Sequence, residues 1–269
     1  MRFAACLAAL ALGAAFAGPV QAQDSSAAAV SGWYTPAQAA AFGKALEKDL
    51  GSRGVRVAMV FRSGRPRAAM PEGLGYTHSA FWVYRDIATA DGGRLTGYAV
   101  YNLYQGDGVK LPKDQSFLAQ DWPTDFVLGS IENDVAVIVP TPEMQRRLLA
   151  LIDSPTYAAL HQPSYNLIDS PFDTRHQNCN TFMLGIVSAA AWETDNPDQI
   201  ALNLKTWFKP AVIRAGPLQR LFGPMVDSRI KTDDQSGPIL TASFETISAF
   251  MAANGLSSAT YSFNRPADS

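Results

Sequence analysis

Cys179 and His78 are the residues whose types and settings best suit covalent chemistry. Residues 176–182, His-Gln-Asn-Cys-Asn-Thr-Phe, carry Cys179 from a polar loop into the apolar, helix-compatible run 181–192. The first turn of a helix offers unpaired backbone N–H groups and the positive end of the helix dipole. Both favour a thiolate and can lower a free thiol from its usual pKa of ~8.5. The same N–H groups can hold the oxyanion formed when sulfur attacks a carbonyl. A competing reading makes Cys179 a small buried hydrophobe.

A thiol nucleophile needs an imidazole to take its proton and return it to the leaving group. The chain has three histidines. His78 opens the run His-Ser-Ala-Phe-Trp-Val-Tyr just after a turn containing Gly73 and Gly75, so its side chain can reach a cleft. It is the favoured base, against the alternative of a satisfied histidine at a strand end. His176 is three residues from Cys179 and constrained by its loop, and His161 sits in a turn before Pro163 and is expected at the surface. A third group should orient the base. If the strands beginning at His78 and Leu95 form a hairpin centred on Ala90, Asn102 falls opposite His78 on the same face. Gln105 is the substitute if the turn centre shifts.

Two other chemistries fit the residues less well. His176-x-x-Cys179 with His78 or His161 has zinc-compatible ligand types, but a single cysteine makes the pattern weak. No glycine-rich phosphate loop leads a helix, and no Gly-x-Ser-x-Gly elbow is present. Neither a metal nor an organic cofactor is therefore expected.

The elements that must position these groups follow from periodicity and turn residues. Thr35-Pro36 reads as a helix start, with Ala39, Phe42, Ala45, Leu46 and Leu50 at helical spacing. Residues 55–61, 78–84, 95–104 and 135–139 read as strands, the second apolar on both faces and hence central. Thr141 and Pro142 start a helix ending near Ile152, and a buried helix starts near residues 178–180. A helix over 246–253 and a short strand over 260–263 close the chain. Residues 201–236, rich in proline and glycine turns, resist assignment. The aromatic residues Phe81, Trp82, Tyr84, Tyr98, Tyr101 and Tyr104 fit core packing better than a cleft lining.

His78 with Thr77 before it, and Asn178-Cys179-Asn180-x-Phe182 late in the chain, resemble the circularly permuted papain-like thiol hydrolases of the NlpC-related superfamily. There the histidine precedes the cysteine. The fuller pattern of Arg65-Pro-Arg67, Gly73-Leu-Gly-Tyr-Thr-His78 and residues 175–182 is similar to a bacterial family of exported proteins, domain-of-unknown-function family 2145. The resemblance implies an α+β fold, with an antiparallel sheet packed against a buried helix led by Cys179, and a Cys179–His78 dyad. It leaves the third position, Asn102, variable and the substrate open.

Composition sets the remaining expectations. Arg2, an apolar run from Phe3 to Phe16 and small residues before Gln23 read as a signal peptide over 1–22. Its removal leaves residues 23–269, expected as one papain-like thiol hydrolase domain with a helical C-terminal decoration, and Cys179 as the sole thiol. The formal net charge of −2 would become −3, which argues against nucleic acid as a partner. No other segment is long and apolar enough for a transmembrane anchor. These features point to a periplasmic or secreted cysteine hydrolase or acyltransferase acting on an amide or ester bond. Its partner would be a peptide, lipid or cell-wall substrate. The alternative is a periplasmic binding module that keeps the fold without turnover.

Overall fold

The computed structural model describes residues 33–89, 91–214 and 227–267. The expected signal peptide, Ala22 and Cys6 lie outside these residues.

Local signals set the first element. Thr35 Oγ1 accepts the Gln38 N–H at 3.2 Å while Gln38 Oε1 accepts the Thr35 N–H at 3.0 Å. This reciprocal cap and Pro36 start helix α1 (Pro36–Ser52), which buries Ala39, Phe42, Leu46 and Leu50 along one face. Thr141 Oγ1 accepts the Met144 N–H at 3.3 Å and, with Pro142, starts α3 (Pro142–Ile152).

Six strands form one antiparallel sheet in the order β4-β3-β2-β1-β5-β8. They are β1 (Val57–Arg62), β2 (His78–Ala88), β3 (Arg94–Gln105), β4 (Ser116–Asp121), β5 (Asp134–Pro140) and β8 (Ser257–Asn264). Strand β2 lies inside the sheet, as its two-sided apolar pattern requires. Alternation sends Phe81 and Val83 into a core shared with α5 (Cys179–Trp192), α3 and α7 (Phe244–Ala253). Ala80 and Trp82 enter a second core with α1 and α2 (Pro123–Leu128) on the opposite face. Two short strands, β6 (Ala211–Ile213) and β7 (Ile239–Thr241), pair with each other away from the main sheet. The fold is thus α+β, an antiparallel sheet with several helices, and α5 is buried along most of its length.

One expectation is corrected. The hairpin is centred one residue later than Ala90, so Asn102 pairs with Ala80 rather than with His78. A two-residue slip preserves the face of every side chain, and Asn102 therefore stays on the face of His78. Asn196 Oδ1 accepts the N–H groups of Asp198 and Gln199 and opens α6 (Pro197–Trp207), just beyond the end of α5 at Trp192. Strand β4, α2 and α4 (Pro155–Ala159) were not foreseen.

Among the described residues, no helix is long and apolar enough to cross a membrane.

Candidate active site

His78 is the first residue of β2 and is buried. Its ring stacks on Tyr104 with centroids 5.0 Å apart and lies 5.7 Å from the ring of Phe126 in α2. Nε2 is 3.0 Å from Oδ1 of Asn102. The amide is oriented by its other end, because Nδ2 donates to Oδ2 of Asp121 at 3.1 Å and Tyr104 Oη donates to the same oxygen at 2.5 Å. With Oδ1 facing the imidazole, Nε2 must carry the proton and Nδ1 must be the basic nitrogen. Nδ1 makes no hydrogen bond to any described residue. Burial pushes the His78 pKa well below the usual histidine value, the Arg62 guanidinium pushes it further, and the bond to Asn102 opposes both. The ring is neutral at physiological pH.

Cys179 is the first residue of α5, as its sequence setting requires. The expected free N–H groups are partly taken: Asn178 Oδ1 accepts from the N–H of Asn180 and of Thr181, each at 3.0 Å. Sγ lies 3.8 Å from the carbonyl oxygen of Thr77. Only 5% of Cys179 is exposed. Burial pushes its thiol pKa up, while Ser79, the Arg62 guanidinium and the Asn180 N–H pull it down. The sulfur thus rests on the residues flanking His78. No hydrogen bond joins Sγ to the ring among the described residues, since alternation directs His78 toward the α1 and α2 layer.

The structure brings His78 and Asn102 together and sets Cys179 against the same strand start. It sends the other candidates elsewhere. His161 is half-buried rather than at the surface, with Nε2 2.9 Å from Ser116 Oγ. His176 bridges Ser164 Oγ at 2.8 Å and Asp233 Oδ1 at 2.9 Å. Gln105 Oε1 accepts from Arg229 at 3.3 Å and does not reach His78. The three histidines thus serve three separate networks, and among the described residues no three His, Cys, Asp or Glu side chains could hold a metal ion.

A cleft of about 420 Å³ opens beside His78, lined also by Arg62, Tyr104, Gln105, Tyr165 and Arg229. Arg62, Tyr104 and Asp121 were missed as site residues. Arg62 carried a readable signal, as the charge that ends an otherwise apolar strand. Asp121 had none, because β4 itself was not recognised.

A family model described as an uncharacterized protein conserved in bacteria, DUF2145, matches residues 49–251. The chain belongs to the DUF2145 family. The matched region of this DUF2145 protein runs from the end of α1 to α7 and holds His78, Asn102 and Cys179. No curated protein and no solved structure matches it.

Proposed function

We propose that this DUF2145 protein is a cysteine-dependent hydrolase or acyltransferase of amide or ester bonds, with Cys179 as nucleophile, His78 as base and Asn102 orienting the imidazole. One observation carries the reading. Asn102 holds Nε2 in its protonated form, which leaves Nδ1 basic and unbonded beside the strand residues that touch Sγ. In the reaction Nδ1 takes the thiol proton and Sγ adds to the carbonyl carbon. The C–N or C–O bond then breaks as the imidazolium protonates the leaving group, giving a thioester. Water or an acceptor hydroxyl or amine resolves the thioester. Dyads in ligand-free enzymes are commonly open and tighten when substrate binds, and closing this one requires the start of β2 to bring the His78 ring to Sγ. The order of histidine before helix-leading cysteine resembles the permuted papain-like arrangement, and the expected leader over 1–22 suits a periplasmic or secreted site of action. Cell-wall peptides are the substrates most consistent with that location.

A second reading, a binding module without turnover, is favoured by the burial of the thiol and its raised pKa. The rate of iodoacetamide alkylation of Cys179 against pH separates the two. The hydrolase reading expects an inflection below the free-thiol value of ~8.5 that moves upward in His78→Ala. A slow reaction with an inflection above that value, unchanged in His78→Ala, rejects the dyad and leaves the binding module.

A further inference from the structure

Arg62 ends β1 directly beside His78, its cross-strand partner, and is 4% exposed. Its guanidinium lies 5.4 Å from the Phe126 ring centre, and Nη1 donates to the carbonyl of Gly129. The chain is shaped to admit it: a Cβ at Gly129 would overlap Cζ of Arg62. Yet Nε has no hydrogen-bond partner, and no carboxylate of the described residues forms an ion pair with the group. Asp121 is within electrostatic reach, but its Oδ2 is occupied by Asn102 and Tyr104.

A guanidinium stays protonated in proteins, and burying it without an anion is costly. The surroundings increase the imbalance. The cleft beside His78 is lined by Arg62, Arg65 and Arg229 and by no acidic residue. Arg229 is neutralised by Asp227, whose Oδ1 accepts from its Nε at 2.9 Å. Arg65 is exposed at the rim. The cleft therefore carries the positive charge of Arg62 and Arg65, one buried and one solvated, beside His78.

We propose that Arg62 anchors an oxyanion group, a carboxylate or a phosphate, of the molecule that enters this cleft, with Arg65 adding attraction at the mouth. Planar bidentate pairing with such a group would satisfy the orphaned Nε and supply the missing counter-charge. If the hydrolase reading holds, the substrate carries a negative group close to its reactive carbonyl. The anion site itself rests on the cleft alone.

The test uses the mature chain with Cys179→Ala, so that turnover plays no part and a failure of the hydrolase reading leaves the result intact. Protein labelled with ¹⁵N-arginine is titrated with N-acetylglycine, methyl phosphate, the neutral N-acetylglycinamide and sodium chloride at matched ionic strength. The Arg62 Nε–H resonance should move saturably with one or both oxyanions, and melting should rise by at least ~3 °C at saturation. The larger response identifies carboxylate or phosphate as the ligand group. Arg65→Ala, at an exposed position, should weaken binding about threefold, as expected for one partly screened charge. Arg62→Met should abolish the shift, and the wild-type resonance carries the test if that variant does not fold. Equal responses to the amide or to chloride, or an unmoved Arg62 resonance with both oxyanions, overturn the proposal.

Discussion

The two faces of β2 are built from the same eleven residues and solve different problems. Toward α5, Phe81 and Val83 meet Phe182, Leu184 and Ile186 in an apolar layer. Toward α1 and α2, Ala80 and Trp82 start the same way, but the strand end turns polar. There His78, Asn102, Tyr104 and Asp121 are buried within one hydrogen-bonded network, with Arg62 buried beside it. An apolar layer tolerates loss of a contact by opening a cavity. A buried polar network must keep every partner or bear the cost of desolvated groups. The difference teaches that the sheet end beside α2 is kept polar against its own stability, which is the usual mark of a working site.

Large-to-small substitutions should separate the faces most strongly. Leu184→Ala, at a fully buried position, should cost about 2–5 kcal/mol in urea unfolding and leave the His78 titration unchanged. Phe126→Ala should cost about 3–5 kcal/mol and also uncover His78 and Arg62, both of which lie against its ring. NMR titration of His78 in that variant should then show a pKa rising toward the ordinary ~6.5. An unmoved His78 in Phe126→Ala would break the comparison, because it would mean that α2 does not supply the desolvation.

The next effect is a pH dependence confined to the polar face. Burial pushes Asp121 up to about 6, with the Tyr104 hydrogen bond and Arg62 opposing and Asp125 assisting. A carboxyl raised on folding contributes stability that is complete below its unfolded pKa near ~3.9 and is lost as pH rises through 6. The loss amounts to about 3 kcal/mol. His78 works in the opposite sense: its pKa is depressed by burial, so the folded state loses stability as pH falls below ~6.5. The two slopes offset one another in the wild type. Asp121→Asn should leave the histidine slope exposed, so that its stability rises from pH 4.5 to 7.5 by about 2 kcal/mol more than that of the wild type, most but not all of the full term because the unfolded carboxyl is already largely ionised at pH 4.5. Urea midpoints at the two pH values decide it; parallel profiles would mean that Asp121 is not held protonated by the fold.

Much of this arrangement was legible because it rests on local signals. Thr35-Pro36, Thr141-Pro142 and the two-sided apolar run after Ser79 specify α1, α3 and the inner strand through capping and alternation. Asn178 ahead of an apolar run marks the start of α5 by the same rule. Asn196-Pro197 carries the cap signal too, but the pair also suits a turn, and only the packing of Ile200, Ala201 and Leu204 decides between them. The hairpin register was one residue out in its centre because the sequence there, with Asp91, Gly92 and Gly93 together, suits several nearly equivalent turn placements. The side-chain contact of His78 with Asn102 survives that error, although the backbone pairing does not, through the two-residue period of strands. Arg62 and Asp121 reach the site from β1 and β4, and such long-range convergence leaves no spacing to read.

The smallest expected effect lies on the α5 side, at its rim. His176 joins Ser164 to Asp233 by hydrogen bonds as short as those of His78, and Lys231 donates to Ser164 Oγ at 2.9 Å. The geometry matches the buried network, but the setting does not: the Asp233 side chain is 56% exposed. Water can replace the carboxylate there, so Asp233→Asn should cost less than about 1 kcal/mol, and less still in high salt. A loss above about 2 kcal/mol in urea unfolding would show that this network clasps the loops before α5 as firmly as Asp121 holds the other face. The contrast between the two sides would then lie in which polar groups each one buries, and Cys179 would sit between two rigid networks.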